Sequence, residues 1–443
     1  MTLASKSKFL AIAALAAQMA ASVAWIEPAS AEDLHVGVTT CAGSTCHGAV
    51  QPLKNSGVAQ NEYITWQRKD RHAKAYEMLL GERSKRIAAN LGLKDAHTSE
   101  ICLDCHADNV PNELRGRQFQ ISDGVGCEAC HGGSQRWLGP HVAAVASIAE
   151  LHKIGLYPTE DPVARAKLCL ACHFGDDKRF VTHRIMGAGH PRMSFELNTF
   201  TQIQPAHYVL DDNYRKRKVA ASGVQTWAIG QALALSTVMG QLQEAKRQKP
   251  GPFPELVFYD CYACHHPLSN VRWESRASTG LGPGVVRFND ANALMLRVIA
   301  QRLAPEIATG LNDQVLALHQ AMAEGKGDVS ESARRVKANA DALTQRFAAH
   351  SFDREDIRAL MRGLVGAGLA NDFSDYAGAE QATMALASLT QSLRSANDLN
   401  EQQFNALKAA LDQCYAATAS QDAYRSEEFI KALRSFQQAM APS

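Results

Sequence analysis

The sequence predicts a mainly α-helical protein with little regular β structure, in two parts: a cysteine- and histidine-rich core, then a helical bundle. Two observations predict it. Between residues 41 and 265, short groups of two cysteines and a histidine recur about once per 45 residues, too densely for an ordinary apolar core to form between them. After residue 284, successive stretches carry apolar residues at helical spacing. The chain has 443 residues, of which 46% are hydrophobic, a normal share for a globular protein. That length allows about two or three domains. A formal net charge of +1 gives no basic bias toward nucleic acid, which is not expected as a partner.

Residues 1–31 read as a secretory signal peptide that is cleaved. MTLASKSK is a basic start and FLAIAALAAQMAASVAW an apolar run; Ala29 and Ala31 supply small residues at an A-x-A-like site before Glu32. An uncleaved anchor is the competing reading, but Gln18 interrupts the run, which is short for a bilayer span. Cleavage removes Lys6, Lys8 and Glu27 and takes the net charge from +1 to zero. The cleaved chain is expected in the periplasm, with no transmembrane segment.

Eleven cysteines in an exported chain ordinarily suggest disulfides. Their spacing suggests otherwise. C-x-x-C-H occurs four times: CLDCH (Cys102, Cys105, His106), CEACH (Cys127, Cys130, His131), CLACH (Cys169, Cys172, His173) and CYACH (Cys261, Cys264, His265). This is the c-type haem attachment pattern. The two thiols add to the haem vinyl groups, and the adjacent histidine ligates the iron from the proximal side. Chance predicts roughly 0.01 such pentads in a chain of this composition, so zinc or a redox dithiol explains four of them poorly. Cys41, Cys46 and Cys414 remain. In CAGSTCH, Cys41 and Cys46 enclose four residues instead of two, and His47 follows directly. A disulfide is the competing reading. The histidine and the four neighbouring sites favour a fifth haem c, with Gly43 and Ser44 suited to a bulge. Cys414, in ALKAALDQCYAATA, reads as a core thiol. No site ends in the lysine that marks one kind of catalytic haem.

The expected organisation follows. Residues 32–267 form a pentahaem cytochrome c domain in which haems replace the apolar core. Residues 268–284, rich in turn formers, form a linker. Residues 285–443 form a helical domain, read as a scaffold or docking bundle. Several of its helical stretches open on Asn, Asp or Ser as N-caps. A further helix is expected over Gly223–Gln248, with basic residues at its end.

With the motifs placed, residues 36–180 resemble the cytochrome c-554 family, whose best-known member carries electrons in ammonia oxidation. The resemblance rests on WQRKDRHAKAYEMLL from Trp66, on CLDCHADN, on GVGCEACHGG from Gly124, and on CLACHFG. The widened first motif, the fifth site and the C-terminal helices depart from the family's four-haem pattern.

Each iron has a second axial face, and nine histidines outside the motifs could fill the five faces. The resemblance implies His72 as distal ligand of the third-site haem and His141 as that of the first. His190 and His207, in turn-rich sequence between the fourth and fifth sites, are candidates for those two haems, with His183 as a rival. His35, His97 and His152 read as surface residues, and His266 as a supporting group beside its own motif. In the resembling family the haem on the second site, here His106, lacks a protein sixth ligand. The residues leave open whether a histidine fills it here.

The leading functional expectation is electron transfer between redox partner proteins through closely packed, mostly bis-histidine haems. A membrane-bound quinol oxidoreductase or another cytochrome is a candidate partner. About ten haem propionates add negative charge, which suits docking to basic patches. The alternative is a multihaem oxidoreductase acting on a small nitrogen or sulfur compound at an open second-site haem, with Arg136, Arg192 or Tyr208 as candidate helpers. A third reading makes the chain a subunit of a larger electron conduit, docked through residues 285–443.

Overall fold

The computed structural model describes residues 33–54, 56, 58–143, 146–248, 254–265, 276–282 and 285–441. The expected signal peptide, His266 and much of the expected linker lie outside these residues. The chain is mainly α-helical, as expected. Among the described residues no sheet forms; there are two isolated bridges, His35 with Arg115 and Tyr259 with Phe288.

The haem-motif half is built from short helices: Glu62–Lys69, Ala75–Leu79, Glu82–Leu91, Glu100–His106, Cys127–His131 and Pro162–His173. Local chemistry starts several of them. The Asp161 side chain accepts from Ala164 N, and Pro162 takes the first helical position, where its missing N–H costs nothing. Ser147 and Glu150 form a reciprocal capping box before Ile148–Lys153. The apolar core around the second site is a small cluster of Leu79, Ala88, Ala96, Leu103 and Ala107.

Eight longer helices follow: α1 (Gly223–Leu242), α2 (Ala291–Leu303), α3 (Pro305–Glu324), α4 (Val329–Ala349), α5 (Arg354–Leu369), α6 (Tyr376–Ser395), α7 (Glu401–Ala417) and α8 (Ser426–Ala439). Side-chain caps start five of the eight: Ser222 for α1, Asp328 for α4, Asp353 for α5, Asp375 for α6 and Asn400 for α7. The helix expected over Gly223–Gln248 divides: α1 ends at Leu242, and Ala245–Gln248 forms a separate turn.

α1 is the centre of the bundle although it precedes the fifth motif in sequence. It is buried on nearly all sides, from Val224 to Leu242, as expected for an apolar helix enclosed by others. It packs on α2, α4 and α6, and on Leu197–Ile203 and the fourth-site helix Pro162–His173. One continuous core therefore runs from Ala166 and Leu170 to Phe436 and spans both sides of the expected linker. Gly230 allows a close approach: a Cβ there would lie 2.6 Å from Leu197 Cβ. Gly230→Val is expected to destabilise the chain by about 1–3 kcal/mol through overpacking, read as a lower denaturant midpoint.

Candidate haem-binding site

Helical spacing brings each thiol pair together. In Glu100–His106, Cys127–His131 and Pro162–His173 the two cysteines stand three residues apart on one helical face, and the histidine ends the helix. In the fifth motif, Cys261–Ala263 is a 3₁₀ turn, and His265 N bonds Cys261 O at 2.7 Å. The chain must leave each histidine sharply. After His131 it does so at Gly132, whose φ is 77° and whose Cβ position lies 2.7 Å from Gly155 O.

The widened first motif closes in the same way. His47 N bonds Cys41 O at 3.1 Å, so the histidine returns to the first cysteine as in the fifth motif. The extra residues form a tight loop in which Cys46 N and Gly48 N both bond Gly43 O at 2.9 Å. Gly48 is required: a Cβ there would fall 1.9 Å from Ala42 O. Cys41 and Cys46 are both free thiols, not bridged to each other.

The histidines meet in facing pairs. Ring centres lie 6.3 Å apart for His47 and His141, 6.3 Å for His131 and His207, 5.9 Å for His72 and His173, and 6.3 Å for His183 and His265. These distances lie within the range of ordinary ring pairs and also leave room for a metal between two imidazoles. A metal–nitrogen bond of about 2 Å on each side, with the ring centre about 1.1 Å further back, would put two rings about 6.2 Å apart. Among the described residues no group of three or more His, Cys, Asp and Glu side chains converges as a metal cage. The donor set, thiol pairs with one facing imidazole pair, fits covalently attached haem.

Several rings are fixed from behind. Nδ1 of His47 lies 2.9 Å from Glu62 Oε2, and that of His72 lies 2.8 Å from Asp70 Oδ1. Nδ1 of His106 lies 3.0 Å from Ala75 O, that of His141 2.5 Å from Leu138 O, and that of His190 2.8 Å from Pro191 O. A carbonyl or carboxylate oxygen can only accept, so Nδ1 donates and the Nε2 lone pair is left for the metal. Trp137 packs edge-on against His141 at 5.3 Å. Burial pushes His131 and His173 down to about 4, further lowered by His207 and His72 respectively. Both therefore stay neutral, as metal ligands must.

The sites themselves adjoin. The Cys127 thiol beside Cys41 lowers the Cys41 thiol pKa, and Cys172 is pulled down to about 6 chiefly by the neighbouring Cys105 thiol. The first site thus touches the third, and the second touches the fourth. Cys130 lies in the field of Cys169 and Cys172, which links the third site to the fourth. Phe195 stacks on His173 at 4.7 Å and lines a cavity that Cys261 also borders, which links the fourth site to the fifth.

Some partners differ from expectation. His141 faces His47 of the first site. His72 faces His173 of the fourth site rather than the third, and His207 faces His131 of the third rather than the fourth or fifth. His183 faces His265. His190 lies in the field of His106, on a loop held by Arg83 and Asn90, which donate to Gly189 O and Ala188 O. These partners are set by chain path, which local spacing does not encode. His35 is not a surface residue: its side chain is 12% exposed and bonds Asp108 at 2.7 Å. His97 and His152 pair with Asp95 and Glu160. Arg136 pairs with Asp33, Arg192 with Glu380, and Tyr208 stacks on Tyr214 beside His207. Sequence reasoning missed Glu62 and Asp70. Asp70 carried a signal, since an aspartate two residues before a histidine can bond both its backbone and its ring.

Thiol pairs with an adjacent histidine, most of them faced by a second imidazole, define a c-type haem cytochrome. Residues 40–132, from the first site through the third, match the family described as cytochrome c554 and c-prime, and over this segment the chain is similar to that family. The match supports covalently bound haem c and an electron-transfer role. No curated protein and no solved structure matches the chain.

Glu62→Gln keeps the bond to His47 but removes the negative charge behind it. The first-site haem is expected to shift to a more positive potential, read by spectropotentiometry. The double variant Cys41→Ala with Cys46→Ala is expected to lose one haem by mass; an unchanged haem count would overturn the assignment of this motif.

Proposed function

We propose that the chain is a periplasmic pentahaem c-type cytochrome that carries electrons between redox partner proteins. The observation that carries this reading is the four facing imidazole pairs. A haem held on both faces by histidine has no open position, and its chemistry is restricted to gaining and losing electrons. Cys41, Cys46 and His47 would hold the first haem, and the four C-x-x-C-H motifs the others. His141, His207, His72 and His183 would cap the first, third, fourth and fifth; His190 is the candidate for the second. Contacts between attachment thiols support closely spaced haems in the order first, third, fourth, with the second and fifth branching from the fourth. Two branches suit a conductor that receives electrons at one end and delivers them at another. A membrane-bound quinol oxidoreductase or another cytochrome fits as partner. Among the described residues no helix is long and apolar enough to cross a membrane.

One observation favours a second reading. Among the described residues, His106 is the one proximal histidine whose ring faces no second imidazole at pairing distance. The second site would then be where a small nitrogen or sulfur compound binds, and the protein an oxidoreductase. A haem count by mass with an electron paramagnetic resonance spectrum of the oxidised protein separates the two. Five haems, all low-spin, is the result expected for the carrier. A high-spin signal that shifts with nitrite, hydroxylamine or nitric oxide would favour the enzyme.

A further inference from the structure

Behind the fifth attachment motif lies a buried cluster of six polar side chains: Asp260, Arg276, Arg287, Asp290, His319 and Asp375. They come from well-separated parts of the chain. Asp260 immediately precedes Cys261, Asp290 is the N-cap residue of α2, His319 lies on α3 and Asp375 caps α6. All six side chains are 11% exposed or less.

Most of the cluster is well paired. Arg276 bridges Asp290 and Asp375, and Arg287 Nη2 donates to Asp375 Oδ2 at 2.9 Å. His319 Nε2 lies 3.1 Å from Asp290 Oδ2. Asp375 also accepts from Gly378 N at 2.8 Å. Asp260 is different. Its Oδ1 accepts from Tyr262 N at 3.0 Å. Its Oδ2 lies 3.0 Å from Arg287 Nη2, yet in an orientation that makes no hydrogen bond.

The charges do not balance. Three carboxylates face two guanidiniums. His319 Nδ1 has no partner among the described residues. Other charged groups nearby are engaged elsewhere: Arg192 with Glu380, Arg297 with Asp372, and Arg425 acting on Tyr262. An unbalanced negative charge in a low-dielectric interior is relieved by binding a proton at the least stabilised carboxylate. That carboxylate is Asp260. Burial and then Asp375 push it up to about 7, against the pull of Arg287. Against the same burial, Arg276 and His319 hold Asp290 far below the usual carboxylate range.

We propose that this cluster is a proton-binding site coupled to the fifth haem, so that Asp260 binds one proton as the iron held by His265 accepts one electron. The electron comes from a neighbouring haem and the proton from solvent. The carboxylate becomes a carboxylic acid as ferric iron becomes ferrous, the summed charge of the two is unchanged, and both steps reverse on oxidation. Adjacency makes the coupling strong: Asp260 neighbours an attachment cysteine, and its Oδ1 bonds the backbone of the motif's own turn. An added negative charge at the haem raises the cost of ionised Asp260. The inference rests on the reading of Cys261, Cys264 and His265 as a haem site.

The test is a redox titration of the haem-loaded full chain at a series of pH values. Below about pH 7 Asp260 is protonated in both redox states, and every potential is independent of its titration. Above that, reduction alone keeps Asp260 protonated, and one potential is expected to fall by about 59 mV for each tenfold drop in proton activity. Asp260→Asn removes this slope. It also removes a carboxylic-acid C=O signal from the wild-type infrared difference spectrum of reduction. Asp375→Asn, which removes the negative neighbour, moves the onset of the slope to lower pH. Five haems by mass with no such slope in the wild type would overturn the proton site alone. A variant lacking Cys261 and Cys264 that still carries five haems would overturn the haem reading beneath it. An infrared signal unchanged in Asp260→Asn would also overturn the proposal.

Discussion

A gap of 5.9–6.3 Å between facing imidazole rings is the dimension on which the haem-bearing half depends. It is a spacing that ordinary ring pairs also adopt, and it is the width needed for a metal with one nitrogen bond on each side. Holding such a gap open requires each ring to be fixed by something other than its partner. Carboxylates do this for His47 and His72, backbone carbonyls for His106, His141 and His190, and aromatic packing adds to it at His141 and His173. The nature of the anchor matters to function. A carboxylate behind a ligating ring would stabilise oxidised iron more than a carbonyl would, so Glu62 and Asp70 distinguish the rings of His47 and His72 from those of His106, His141 and His190.

The same constraint explains the poor apolar core of residues 33–143. Short helices that end on cysteines and histidines direct these side chains inward, where a larger domain would have Leu and Val. Stability must then come from polar ties and from the cofactors. Glu128, buried in the middle of the third motif, is one such tie: it accepts from Val36 N, Gly37 N and Ser134 N at 2.8–2.9 Å and holds the N-terminal segment against the motif. Charge-assisted bonds of this kind are roughly twice as strong as neutral ones.

The helical bundle is more than a support. α1 is its central helix and also carries the fourth-site helix on its surface. Phe288, Asn292, Ala377 and Glu380, from the bundle side, line the same cavity as Cys261 and Arg192. The fifth site is therefore built jointly by both halves of the sequence. The Asp260 cluster follows from that junction: loops from several parts of the chain each bring one charged residue, and close packing buries them together.

What could be read directly from the sequence was local. A cysteine pair and the following histidine are fixed by covalent spacing on one helical turn, so Cys102, Cys105 and His106 needed no structure to be grouped. The helices of the bundle were equally visible, because their caps and apolar periodicity lie within a few residues of one another. Even the widened CAGSTCH motif could be grouped by elimination, and its bond from His47 N to Cys41 O repeats that of the regular fifth motif. The facing of His72 to His173 and His207 to His131, the carboxylates behind His47 and His72, and the charged cluster behind Cys261 are of another kind. They depend on where distant segments cross. That is decided by the packing of the whole chain, because the energy of bringing two rings or charges together appears only when the path between them is closed.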